Sequence, residues 1–252
     1  MRSFSLKNVW PLARAEFRSF WTNPSGGLAL AVFLGLSGIL FYNSVADYAA
    51  SNLGVMARGR HLNADLAIFS NGLGNLGLVI LLVAPLTTMK AMAPYNLGGH
   101  LDLLTAWPLK PSELIFGQYI AAVTALGLLT LLSLLPFFVI WLMGAGSLTV
   151  LLTSVLGLSL IISSFVSVGL ALASLTSSPL ASALTTLGIL ALLWALGWAA
   201  PYLPVWASVL VQGLAVEPRF SHFTLGLIDL NDVLYFLVLT ALCLKTGRPL
   251  AE

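Results

Sequence analysis

Lys90, Asp102, Lys110 and Glu113 fall within one internal stretch, MKAMAPYNLGGHLDLLTAWPLKPSELIFGQY (89–119), of a chain with only 11 Lys and Arg and 9 Asp and Glu in 252 residues. Charges gathered in this way can dock a partner or merely solvate a turn. Pro and Gly punctuate the stretch, which predicts a polar hairpin of backbone rather than continuous helix. Its surroundings are almost unbroken lipid-compatible helix. A chain that concentrates polar side chains in one internal loop uses that loop to meet something in water.

Patterns for other chemistry are missing. There is no G-x-x-x-x-G-K-[ST] phosphate-binding loop and no H-E-x-x-H zinc motif. His61, His100 and His222 fall between apolar segments, whereas a haem subunit needs axial ligands at suitable depth. An intramembrane protease needs paired Asp, Ser/His or His/Glu groups inside its spans, and none is there. Proton- and sodium-coupled carriers mark their pathway with buried ionisable groups, although backbone carbonyls alone can bind sodium. Cys243 is the one cysteine, so there is no internal disulfide, and it reads as a small buried hydrophobe. The net charge of +2 is too small to imply nucleic acid. The expectation is a non-catalytic chain with no metal and no cofactor of its own.

The elements that position the loop follow from composition. Hydrophobic residues make up 59% and charged residues 8% of the chain, and mean hydropathy is +0.98; a soluble domain carries about 25% charged residues. The predicted fold is all-α and polytopic, with six apolar segments at about 26–46, 66–88, 114–143, 148–175, 179–200 and 233–246. The third contains Pro136, a kink if its neighbours satisfy the freed carbonyl. The sixth is short and should begin earlier. With the N-terminus inside, Arg2, Lys7, Arg14, Arg18, Lys90, Lys110, Lys245 and Arg248 lie on the inner side, against Arg58, Arg60 and Arg219 on the outer side. That asymmetry predicts both termini and the loop 89–113 on the cytoplasmic face.

Two further segments stand out. In residues 1–25, Trp10, Ala13, Phe17, Phe20 and Trp21 share one helical face, edged by Lys7, Arg14 and Arg18. This is the pattern of a helix in the headgroup plane, and it is open whether it only anchors or also meets a cytoplasmic partner. Residues 201–232 are apolar at first but broken by Pro201, Pro204 and Gly213, which fits a re-entrant or interfacial segment before the last span. Trp194, Trp198, Tyr202 and Trp206 suit a membrane interface, either as a depth-fixing belt or as part of an outer gate. Within the spans, Asn71, Asn75, Ser159, Ser163 and Ser167 either pack helices closely or line a mildly polar path.

Two stretches carry a family resemblance. Gly99-His-Leu-Asp102-Leu-Leu-Thr-Ala-Trp-Pro108, followed by Glu113 and Gly117-Gln-Tyr119, is similar to G-T-x-E-L-L-L-T-x-P…G-K-Y. His222-Phe-Thr-Leu-Gly226-Leu-Ile-Asp229-Leu-Asn-Asp232-Val-Leu-Tyr235-Phe236 is similar to H-F…G-v-I-D-x-x-D-x-x-Y-F. With the six-span layout, they make the chain resemble an ABC type-2 exporter permease of the gliding-motility subgroup, related to nitrous-oxide-reductase maturation permeases. Pro94, Tyr95 and Asn96 stand where that family carries an acidic–basic run, and Gln118 where it carries Lys.

The resemblance implies a multi-pass permease of a bacterial cytoplasmic (inner) membrane. Its partners would be ABC ATPase subunits, which hold the ATP and magnesium, a second permease copy or a non-identical permease, and membrane lipids. It implies Lys90, Asp102, Lys110, Glu113, Arg14 and Arg18 as residues coupling to the ATPase, and His222, Asp229 and Asp232 as external gate candidates. A non-transporting membrane anchor or scaffold in a larger complex is the alternative.

Overall fold

The computed structural model describes residues 6–56, 65–89, 111–144, 146–176 and 178–247. Among them there are helices and no strands. The order is α1 (Leu6–Thr22), α2 (Pro24–Met56), a π-helical turn (Asp65–Ser70) leading into α3 (Asn71–Thr88), α4 (Pro111–Leu142), α5 (Leu148–Ala173) and α6 (Pro179–Ala199). A 3₁₀ turn (Ala200–Tyr202) then leads to α7 (Val205–Leu214), α8 (Glu217–Thr224) and α9 (Leu230–Thr246). Five helices, α2 to α6, are long and apolar enough to cross a membrane. The chain is therefore an all-α, membrane-embedded, polytopic protein. The last helix, α9, is 17 residues long; it begins at Leu230, ahead of the apolar run at 233–246.

Local chemistry explains the helix ends. Ser147 caps α5, its hydroxyl accepting from the Val150 N–H at 3.4 Å. Pro179 opens α6, where a missing N–H costs nothing. Asp229 caps α9 through the Asn231 N–H at 2.9 Å. Pro201 and Pro204 end α6 and set off the short helices, so residues 201–232 do not form one continuous span.

The bundle is organised around α5, which packs against α9, α3, α4, α8 and α6. The candidate-span windows of α3 and α5 are 67% and 61% buried, against 22% for α2 and 28% for α6. The inner pair thus forms the core, and α2 and α6 present apolar side chains outward, as lipid contact permits. Phe33, Phe69, Phe165, Phe220 and Phe236 are fully buried. In lipid their contribution is close van der Waals contact rather than expulsion of water.

Helix α1 packs on α4. A Cβ at Gly117 would sit 2.6 Å from Leu12 Cδ2, so this glycine sets how closely the two helices approach. The packed seam holds Val9 and Ala13, 2% and 4% exposed, while Trp10 is 67% exposed. Of the aromatic face expected from the sequence, Ala13 lies in the seam, and Phe20 and Trp21 pack on the core. Trp10 lies at the edge of that face and points away, because α4 is reached through Val9 and Ala13. Arg14 and Arg18 are exposed.

Candidate functional site

At the α8 end of the bundle, α3, α6 and α8 enclose a cleft of about 230 Å³. Asn71 and Asn75 enter from α3, Trp194 and Trp198 from α6, and Glu217 and Ser221 from α8. Glu217 reaches α6 because residue 197 is glycine; a Cβ there would lie 2.7 Å from Glu217 Oε2. Burial holds the Glu217 carboxyl above its ordinary 4.5.

The polar groups of this cleft are unevenly satisfied. Ser221 Oγ donates to the Pro218 carbonyl at 2.7 Å and Thr224 Oγ1 to the Ser221 carbonyl at 2.9 Å. Ser70 Oγ then donates to Thr224 Oγ1 at 3.3 Å. All three hydroxyl protons are committed inside the protein, so these groups offer only lone pairs to the cleft. Among the described residues, the side chains of Glu217, Asn71 and Asn75 make no hydrogen bond, and the buried Trp194 Nε1 has no partner.

Beside the cleft, Asp232 is 3% exposed in the first turn of α9. Arg219 Nη1 donates to Asp232 Oδ1 at 3.1 Å, and His222 Nδ1 lies 2.7 Å from Asp232 Oδ2. Arg219 also donates to the Gly213 carbonyl at 3.1 Å and lies 4.4 Å from the ring centroid of Tyr235. Tyr235 donates in turn to the Leu214 carbonyl at 2.7 Å. The group ties α7 and α8 to the start of α9, and the helix dipole favours a carboxylate there. No family model and no curated protein matches the chain.

In the bundle interior, hydroxyls join three helices. Tyr119 Oη of α4 lies 2.6 Å from Ser163 Oγ of α5, and Ser163 lies 3.3 Å from Thr240 Oγ1 of α9. Ser164 meets Thr240 at 3.2 Å and donates to the Phe236 carbonyl at 3.2 Å. At the α1 end, Glu16, Ser19 and Asn23 face Thr87 and Gln118 across a cavity of about 80 Å³. Burial raises the Glu16 carboxyl above 4.5.

The sequence-predicted residues separate accordingly. Asn71 and Asn75 meet in the cleft. Ser163 sits in the hydroxyl chain, Ser167 is buried and donates to the Ser164 carbonyl at 2.7 Å, and Ser159 is exposed and donates to the Leu156 carbonyl at 2.7 Å. The three serines therefore share no single surface. His222 and Asp232 come together, while Asp229 is an exposed helix cap. Glu113, one of the candidate coupling residues, lies in the first turn of α4 and is 2% exposed. Lys90, Asp102 and Lys110 lie outside the described residues, as do His61 and His100.

Glu217, Arg219 and Glu16 are the site residues the sequence did not single out. Each left a faint signal. Glu217 begins a helix directly after an apolar, Pro- and Gly-broken run, and Glu16 is an acid on an otherwise basic amphipathic helix.

Proposed function

We propose that the chain is the membrane-spanning permease subunit of an ATP-driven exporter, powered by a separate ATPase that docks on its cytoplasmic face. Six spans with both termini inside fit the Lys and Arg asymmetry. In this reading α9 is the sixth span and 201–232 is an external segment. The sequence carries no phosphate-binding loop, so ATP and magnesium would be held by the partner.

The observation that carries the proposal is the seating of α1 on α4, with Leu12 against Gly117. A partner pressing on Arg14 and Arg18 or on the loop 89–113 would move the start of α4 as a body. Tyr119 lies two residues beyond Gly117, so the displacement passes through Ser163 to α5 and through Thr240 to α9. Helix α5 reaches the other end of the bundle, where Thr153 donates to the Phe223 carbonyl at 2.8 Å. A shift of packed helices between two arrangements is how such a motor stroke would alternate access.

The test is co-expression with a candidate ATPase that carries a phosphate-binding loop. Co-purification, and ATPase activity that depends on Arg14 and Arg18, is the expected result. A stable complex whose ATP hydrolysis never responds to this chain would replace the reading with an anchor or scaffold. Purification alone, with no such partner in the cell, would overturn the transporter reading.

A further inference from the structure

The cleft between α3, α6 and α8 has the chemistry of a receptor for a positively charged organic group. Among the described residues its single charge is the Glu217 carboxylate, and no other titratable side chain lines it. Arg219 and His222 pair with Asp232, and among the described residues Glu217 has no cationic partner. Arg219 is two residues away but is turned to Asp232 and Tyr235. The lining hydroxyls present lone pairs, because their protons are bonded to backbone carbonyls or to one another. Two indoles, Trp194 and Trp198, flank the space, and the face of an aromatic ring attracts a cation. Unmet donors and acceptors remain in the lining amides of Asn71 and Asn75, which make no hydrogen bond among the described residues.

Size separates the ligand classes. A volume of about 230 Å³ equals that of about eight waters in the liquid, at about 30 Å³ each. A bare metal ion would touch only a fraction of that lining, and the described residues hold no cluster of three metal-ligating side chains. A cation that fills the space is an alkylammonium. The open amides of Asn71 and Asn75 can donate to an oxygen on the same ligand.

We propose that this cleft binds an ammonium group bearing a nearby oxygen, of the ethanolamine or choline type, with the cation between Glu217 and the indoles and the oxygen on the Asn71 or Asn75 amide. Such a group exists both as a free amino alcohol and as a phospholipid headgroup. The proposal stands apart from the transporter reading, since it concerns binding by this chain alone.

The experiment is calorimetric titration of choline into the full-length protein in maltoside detergent. In parallel, native mass spectrometry follows the protein in mixed phosphatidylethanolamine and phosphatidylglycerol. Saturable choline binding that Glu217→Gln weakens about tenfold or more and Trp198→Leu weakens severalfold is expected if the free amine is the ligand. Retention of phosphatidylethanolamine over phosphatidylglycerol, lost in Glu217→Gln, with no choline binding, assigns the headgroup instead. The unaltered protein supplies a check that does not depend on a variant folding. Protonating Glu217 removes the anion, so affinity should fall as pH drops through its elevated pKa. Absence of both kinds of binding, or binding indifferent to Glu217 and to pH, would overturn the proposal.

Discussion

At the scale of single residues, the strongest local interactions lie at Asp232. Removing its carboxylate leaves Arg219 and His222 facing each other without their shared partner. Asp232→Ala is expected to destabilise the protein by about 2 kcal/mol in SDS-unfolding titrations, below the full cost of an orphaned buried ion because the Arg219 side chain is 21% exposed and can rehydrate. Asp232→Asn keeps an acceptor and should cost less than Asp232→Ala. The half-buried acids predict a pH dependence. Glu16 and Glu217 both have folded-state pKa values above 4.5, so the native state holds their protons more tightly than the unfolded chain. Their contribution is present below 4.5 and is lost as pH rises through the raised values. The variant carrying both Glu16→Gln and Glu217→Gln should lose that pH-dependent decline in thermal stability, and an unchanged profile would refute the assignment.

At the scale of elements, the contact of α1 with α4 yields the sharpest prediction. Gly117→Val forces Leu12 away and separates α1 from α4. The helices themselves should remain, since each is held by its own backbone bonds. In the proposed complex, ATPase stimulation by this chain should fall about fivefold or more, while circular dichroism stays near wild type; full stimulation in this variant would discard α1 as the transmitting element. The helices were readable because apolar runs of roughly 20 residues have few alternatives in a chain this poor in charge. Pro201, Pro204 and Gly213 likewise announced the broken run before α9. The cleft was hidden because its walls come from residues near 71, 194 and 217, and only packing shows that Gly197 lets Glu217 approach. The serine spacing at 159, 163 and 167 was visible, but a helix turn carries a side chain from core to surface within a few residues, so the spacing did not reveal three different environments. The burial of Glu113 was equally hidden, because a charge at the start of a helix reads as exposed until its neighbours are placed.

At the scale of the whole molecule, the weakly buried faces of α2 and α6 require lipid or another chain. On α2, Gly27, Gly35 and Gly38 have open space where a Cβ would be. With Ala31 they form a strip of small residues that permits close helix approach. If the proposed permease pairs with a second copy of itself, Gly35→Cys in a Cys243→Ala background should form an intermolecular disulfide in membranes, and a cysteine at Ala173, buried in the core, should not. The hydroxyl chain also bears on how the protein is made. Thr240 follows Ser163 by 77 residues, which at about 5–20 residues per second takes a ribosome about 4–15 s. For that interval the nascent spans sit in the bilayer with the hydroxyls of Ser163 and Ser164 lacking their partner on α9. Final closure of the interior therefore waits on the last helix to be synthesised, and a chain cut short before residue 230 should be recognised and degraded by membrane quality control however well its earlier spans insert.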